Sequence, residues 1–112
     1  RPDSLVFGKN TDGSATPIFW CFQGYAEFSE LARFLGPDQP LYGMRSGHLV
    51  MENTQANVEM MAAYYATEIL DIRSDGPFIV GGHCQAARIA FHIARRLQEQ
   101  GGHVSLLCLQ EQ

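Results

Sequence analysis

Short apolar runs alternate along this chain with stretches in which apolar residues recur every three or four positions, and turn-forming residues separate them. Residues 5–7 read as a short strand, followed by the turn signal Asn10, Thr11, Asp12, Gly13 and Ser14. Residues 17–22 read as a buried strand, broken by Gln23, Gly24 and Tyr25. Phe28, Leu31, Ala32 and Leu35 then fall at helical spacing, and Gly36 and Pro37 stop that helix. Residues 40–44 form the next strand and lead into residues 45–48. Asn53 or Thr54 caps a longer helix whose apolar stripe is Val58, Met61, Ala62, Tyr65, Ile69 and Ile72. Ser74, Asp75, Gly76 and Pro77 end it. Phe78, Ile79 and Val80 make a short buried strand.

After residue 84 a helical pattern buries Ala86, Ile89, Ala90, Ile93 and Leu97, and exposes Arg88, His92, Arg95, Arg96 and Glu99. Gly101 and Gly102 supply its C-terminal cap, and residues 104–109 form the last strand. Strands alternating with helices in this way predict an α/β fold with a mostly parallel sheet and flanking helices. The last strand of such a sheet needs cover on both faces. No helical pattern follows residue 109, so the expectation is the N-terminal half of a fold, one partial domain over residues 1–112. A start at Arg1 without a methionine fits a piece of a longer polypeptide.

Composition narrows the function. With 46% hydrophobic and 18% charged residues, the 112-residue chain has the make-up of an ordinary globular domain. A net charge of −4, with Lys9 the only lysine, argues against a nucleic-acid surface. No apolar run reaches the length of a membrane span, and no signal peptide is visible. Three cysteines, Cys21, Cys84 and Cys108, make an odd number without metal-ligand spacing. That argues against structural disulfides and for the reducing cytoplasm, with no metal expected.

The chemistry centres on Gly82, His83, Cys84, Gln85 and Ala86, set between the apolar strand and the helix. This is the layout G-x-S-x-G of a nucleophile elbow, with cysteine for serine and alanine for the last glycine. Such a turn holds one side chain out at the C-terminal edge of a sheet, and Gly82 and Ala86 are small because strand and helix pass close together. Read blandly, Cys84 is a small buried residue in a turn; the two glycines ahead of it favour the nucleophile. A thiolate at a helix N-terminus has a lowered pKa and depends less on a base than a serine does.

Further residues carry a resemblance. Phe19-Trp20-Cys21-Phe22-Gln23-Gly24-Tyr25, the run from Leu35 through Gly36-Pro37-Asp38-Gln39-Pro40 to Met44, Gly76-Pro77-Phe78 ahead of the elbow, and the stretch from Leu97 to Leu109 are similar to the thioesterase domains that end non-ribosomal peptide and polyketide synthases. Those domains have the α/β-hydrolase fold. The resemblance implies that an acyl or peptidyl chain on the phosphopantetheine arm of a carrier protein passes to Cys84. Hydrolysis, or cyclisation by a nucleophile within the chain itself, then releases it. It also implies an oxyanion hole from the backbone N–H of Gln85 and a second N–H at Phe22 or Gln23. It places the catalytic acid at Glu111, where aspartate is usual, and the general-base histidine well downstream, beyond Gln112. No cofactor is bound directly; the phosphopantetheine arm carries the substrate, and the carrier protein is the partner.

Rival readings stay open. One is an acyltransferase of the same fold, and another is a cysteine hydrolase similar to dienelactone hydrolase, acting on a small soluble lactone. A third is a non-catalytic carrier-binding module, in which Ala86 and the missing histidine mark lost activity. Glu111 read blandly is a solvated terminal residue, and Gln23-Gly24-Tyr25 a plain turn. His83 adjoins Cys84 too closely to serve as its base and is assigned to lining a pocket. His92 and His103 read as solvated; His48 follows a strand, and a place at the rim of the site is the less favoured reading for it. Cys21 and Cys108 read as buried and inert.

Overall fold

The computed structural model describes residues 5–45, 54–83 and 86–109. Five strands and three helices follow in the order β1 (Val6–Lys9), β2 (Ile18–Phe22), α1 (Tyr25–Leu35), β3 (Leu41–Arg45), α2 (Gln55–Ile72), β4 (Phe78–His83), α3 (Ala86–Glu99) and β5 (Val104–Leu109). They form one sheet ordered β1-β3-β2-β4-β5. β1 runs antiparallel to β3 at the edge, and the β2–β3, β2–β4 and β4–β5 pairs are parallel. The mostly parallel α/β sheet expected from the alternation is the one observed. β4 runs three residues past the apolar triplet, because Gly81, Gly82 and His83 continue its pairing with β5.

Strand alternation splits the core between the two faces of the sheet. Phe19, Cys21, Val80 and Met44 pack with Val58, Met61, Tyr65 and Ile69 of α2 and with Ala86, Ile89, Ala90, Ile93 and Leu97 of α3. On the opposite face Trp20, Phe22 and Leu41 pack with Phe28 and Ala32 of α1. Right-handed crossovers require this division. The chain passes from β2 to β3 in one direction and from β3 back beyond β2 to β4 in the other, so α1 must lie opposite α2 and α3.

The helix ends follow from local chemistry. Thr54 caps α2 by accepting a hydrogen bond from the Asn57 amide at 3.1 Å; Asn53 lies outside the described residues. α1 stops at Gly36, whose φ of 93° suits glycine and whose N–H donates to the Ala32 carbonyl. α3 ends where Gly101, at φ 88°, turns the chain and the Gly102 N–H donates to the Leu97 carbonyl at 2.9 Å. Two stripe positions differ from expectation: Ile72 and Leu35 are 42% and 37% exposed. Each belongs to the last turn of its helix, and Ile72 lines an open groove beside the short edge strand β1.

Candidate functional site

The reversal of direction in the strand order defines a switch point between β2 and β4. In open parallel sheets a crevice forms outside the carboxyl ends of strands that diverge in this way. The segments leaving those two ends are Phe22-Gln23-Gly24 from β2 and His83 from β4. The positions singled out in the sequence at residues 22, 23, 82 and 86 therefore converge on one edge of the sheet.

The β2 side is held by packing. Phe22 is fully buried, its ring stacked on Phe28 at a centroid distance of 5.1 Å, with the Arg45 guanidinium 5.8 Å from the ring centre. Gly43 on β3 makes this possible: a Cβ there would lie 2.6 Å from the Phe28 ring and 2.8 Å from that of Phe22. Gly24 adopts an extended conformation and starts α1, its carbonyl accepting from the amides of Glu27 and Phe28 at 3.1 and 3.5 Å. Gln23 sits half-buried between the two. On the neighbouring strand, the Tyr65 hydroxyl donates to the Arg45 carbonyl at 3.0 Å, tying the end of β3 to α2. Burial, first, and then the neighbouring Cys21 and Tyr64 push the Tyr65 phenol well above its ordinary value.

The β4 side is defined by a close backbone approach. A Cβ on Gly82 would lie 2.7 Å from the Ala86 carbonyl oxygen, 2.8 Å from its carbon and 3.0 Å from the Ala87 nitrogen. Ala86 is fully buried. Strand β4 and helix α3 thus touch backbone to backbone across the two residues that separate them in the chain, Cys84 and Gln85. These two, together with His48 and Glu111, lie outside the described residues. Cys21 is buried on the face packed by α2 and α3, and Cys108 pairs with Gly82 in the β4–β5 ladder.

One cluster at this edge escaped sequence reading. The Trp20 indole N–H donates to Glu27 Oε2 at 3.1 Å, and His83 Nδ1 lies 3.9 Å from Glu27 Oε1. The three residues line an open groove of about 420 Å³ together with Glu30, Leu31 and Phe34. Glu27 and His83 are 56 positions apart (83 − 27), so no local spacing could announce the pair. His92 lies on the α3 surface beside Phe91, in a small cleft with Glu59, Arg95, Arg96 and Glu99, and His103 lines a groove at the amino end of β4. Among the described residues no group of three or more His, Cys, Asp or Glu side chains is placed to hold a metal ion. No helix among them is long and apolar enough to cross a membrane.

A five-stranded, mostly parallel sheet, covered on both faces and with a tight strand-to-helix junction beside its switch point, is an arrangement of the α/β-hydrolase type. The chain belongs to the thioesterase domain family, which it matches over residues 20–111. Among curated proteins it is 33% identical over 112 residues to chondramide synthase cmdD of Chondromyces crocatus, covering 97% of this chain and 3% of the synthase. It is 32% identical over 87 residues to polyketide synthase PksR of Bacillus subtilis, covering 76% of this chain and 3% of that protein. Among solved structures, the NocB thioesterase domain from the nocardicin cluster superposes with a TM-score of 0.78 at 22% identity, a likeness of fold. That superposition covers 96% of this chain and 50% of the NocB chain, so the 112 residues span half of that domain.

Proposed function

We propose that this chain forms the nucleophile-bearing part of a thioesterase that releases acyl or peptidyl chains held as phosphopantetheine thioesters on a carrier protein. The observation that carries the reading is the contact of Gly82 with the Ala86 backbone at the switch point. Strand and helix approach that closely around a two-residue connection when the connection is a nucleophile elbow, and its first residue is Cys84. Membership of the thioesterase family and the synthase relatives support the substrate class.

In this reading the Cys84 thiolate attacks the thioester carbonyl, and the oxyanion of the tetrahedral intermediate is met by the backbone N–H of Gln85 and that of Phe22 or Gln23. The intermediate collapses with cleavage of the bond to the pantetheine sulfur, which leaves and takes up a proton. The acyl group is now on Cys84 Sγ. One thioester replaces another, so this step is close to balanced in energy. Water, or a hydroxyl or amine within the acyl chain, then attacks the acyl-enzyme carbonyl; the bond to Cys84 Sγ breaks, the thiolate is regenerated, and a free acid or a ring is released with loss of the attacking group's proton to the base. That second step needs a base to activate the attacking group, and Glu111 is the acid that would orient it. The carrier protein is the macromolecular partner, no directly bound cofactor is invoked, and the odd number of cysteines suits a reducing cytoplasm.

The test is intact-protein mass spectrometry after exposure to a short acyl-pantetheine thioester, with peptide mapping and a Cys84→Ala control. One acyl group, confined to Cys84 and absent from the variant, is the expected result. Absence of an adduct, or equal labelling of Cys21 and Cys108, sinks the proposal.

A further inference from the structure

The Trp20, Glu27 and His83 cluster joins the two sides of the site, and nothing in the elbow chemistry assigns it a role. Trp20 is 5% exposed and faces the α1 layer from β2. Its partner in the ladder with β4 is Gly81, which has no side chain. The next side chain on that face of β4 is therefore His83, the residue immediately before Cys84. Glu27 reaches this point from the first turn of α1, where the helix dipole favours a carboxylate. Its two oxygens are divided: one accepts from the indole at 3.1 Å, and the other faces the imidazole at 3.9 Å. The Glu27 and His83 side chains keep 32% and 25% of their exposure, so the pair is partly shielded from water. Glu30, on the same groove, is engaged by Arg33.

The geometry follows from where Glu27 sits in the chain. Its own backbone N–H is bonded to the Gly24 carbonyl at 3.1 Å, so it moves with the segment that leaves β2. Trp20 anchors that segment at its start, and His83 is the last residue of the strand entering the elbow. We propose that Glu27 is a positioning residue: by bridging Trp20 and His83 it holds the segment after β2 in register with the elbow, and acts on the reaction through His83. This rests on the reading of Cys84 as nucleophile. The acylation rate depends on such register because a thioester carbonyl attacked from the elbow side of the crevice must place its oxygen between the Gln85 N–H on that side and the Phe22 or Gln23 N–H on the other.

Two measurements on the full chain test the proposal separately from that reading. Trp20 is the only tryptophan, so its indole N–H gives a single resonance in a ¹H–¹⁵N spectrum. Glu27→Ala moves it toward the position of a free indole, and Glu27→Gln, which keeps an acceptor, restores most of the shift. His83→Ala moves it in the parent chain and not in the Glu27→Ala background. If His83→Ala leaves the resonance unmoved in the parent chain, there is no bridge and the proposal is wrong, whatever the activity. The second measurement is the rate of acyl transfer to Cys84 in a double-mutant cycle. Glu27→Ala slows it about tenfold in the parent chain and less than about twofold when His83 is already alanine. Effects that simply multiply overturn the coupling. A parent chain that takes no acyl group refutes Cys84 as nucleophile and with it the effect on acylation, and the indole resonance still decides whether the bridge exists.

Discussion

Replacing Gly82 with alanine probes the junction on which the site reading depends. The added Cβ would meet the Ala86 carbonyl oxygen at 2.7 Å, where ordinary contact begins at 3.4 Å, a deficit of 0.7 Å (3.4 − 2.7). The atoms it meets are backbone, so no rotamer change relieves the overlap. β4 is clamped between β2 and β5, and α3 is fixed by Ile89, Ala90, Ile93 and Leu97, each at most 1% exposed. The start of α3 must therefore move away from the strand, a form of overpacking that costs about 1–3 kcal/mol. Against this, alanine narrows the unfolded ensemble relative to glycine and returns about 0.4–1 kcal/mol. A net loss of about 1–2 kcal/mol is expected for Gly82→Ala. Urea unfolding followed by far-UV circular dichroism reads it as a lower midpoint at unchanged slope. Gly24→Ala is the comparison: nothing lies within 4 Å of a Cβ there, and losing glycine at a helix N-cap costs about 0.5 kcal/mol. A Gly82→Ala protein as stable as the parent, or more stable, would show that strand and helix do not meet as described, and the elbow reading would fall with it.

Gly43→Ala drives a Cβ to 2.6 Å from the Phe28 ring, and a loss of about 1–3 kcal/mol by urea unfolding is expected; no loss would mean that the aromatic stack is loose. Tyr65→Phe removes the hydroxyl that donates to the Arg45 carbonyl and costs about 0.5–1.5 kcal/mol. Because the Tyr65 phenol is raised in the folded chain, its contribution is complete below the unfolded value of about 10 and fades as pH climbs above it. Unfolding midpoints measured through that range should fall less steeply in Tyr65→Phe than in the parent, and parallel curves would refute the assignment. Asp38 shows the opposite sign. Hydrogen bonds from the Ser14 amide and hydroxyl, at 2.9 Å each, hold its carboxyl below the usual range. Its contribution is present at neutral pH and is lost as pH falls below about 3.9 through the folded value, a dependence that Asp38→Asn should abolish.

The sheet was legible because each strand is a short apolar run bounded by glycine, proline or turn residues, and each helix has the spacing of a buried stripe. Residues 17–22 and Ile18–Phe22 differ by one position, and Gly36 and Gly101 end their helices as their residue type dictates. Local pattern failed where burial is decided by layers. Ile72 fits the α2 stripe, yet it lies where the sheet runs out, and Glu68, a charged residue on the same helix, is only 4% exposed. The antiparallel pairing of β1 has no signature in four residues. At the site, the closeness of Gly82 to Ala86 was readable from small residues around a strand-to-helix change. The link between Glu27 and His83 was not, because it exists only once β2, α1 and β4 are assembled.

The division of the core into two layers has a consequence for the site. Gly82 and Ala86 belong to the layer packed by α2 and α3, whereas Phe22, Trp20 and Glu27 belong to the layer packed by α1. The Phe22 side of the site is therefore held by the α1 layer and the Ala86 side by the α2 and α3 layer, with the backbone ladder joining β2 to β4 between them. The β2–β4 ladder ends at the pair of Cys21 with Gly82; beyond it Phe22 pairs with Arg45 on β3 and His83 with Leu109 on β5, on opposite sides. Phe22 and His83 are the first residues past that pair. A side-chain bridge there is placed where the ladder stops constraining the two strands. That is why the Trp20, Glu27 and His83 contact, of little weight for stability in a partly exposed groove, has leverage on geometry.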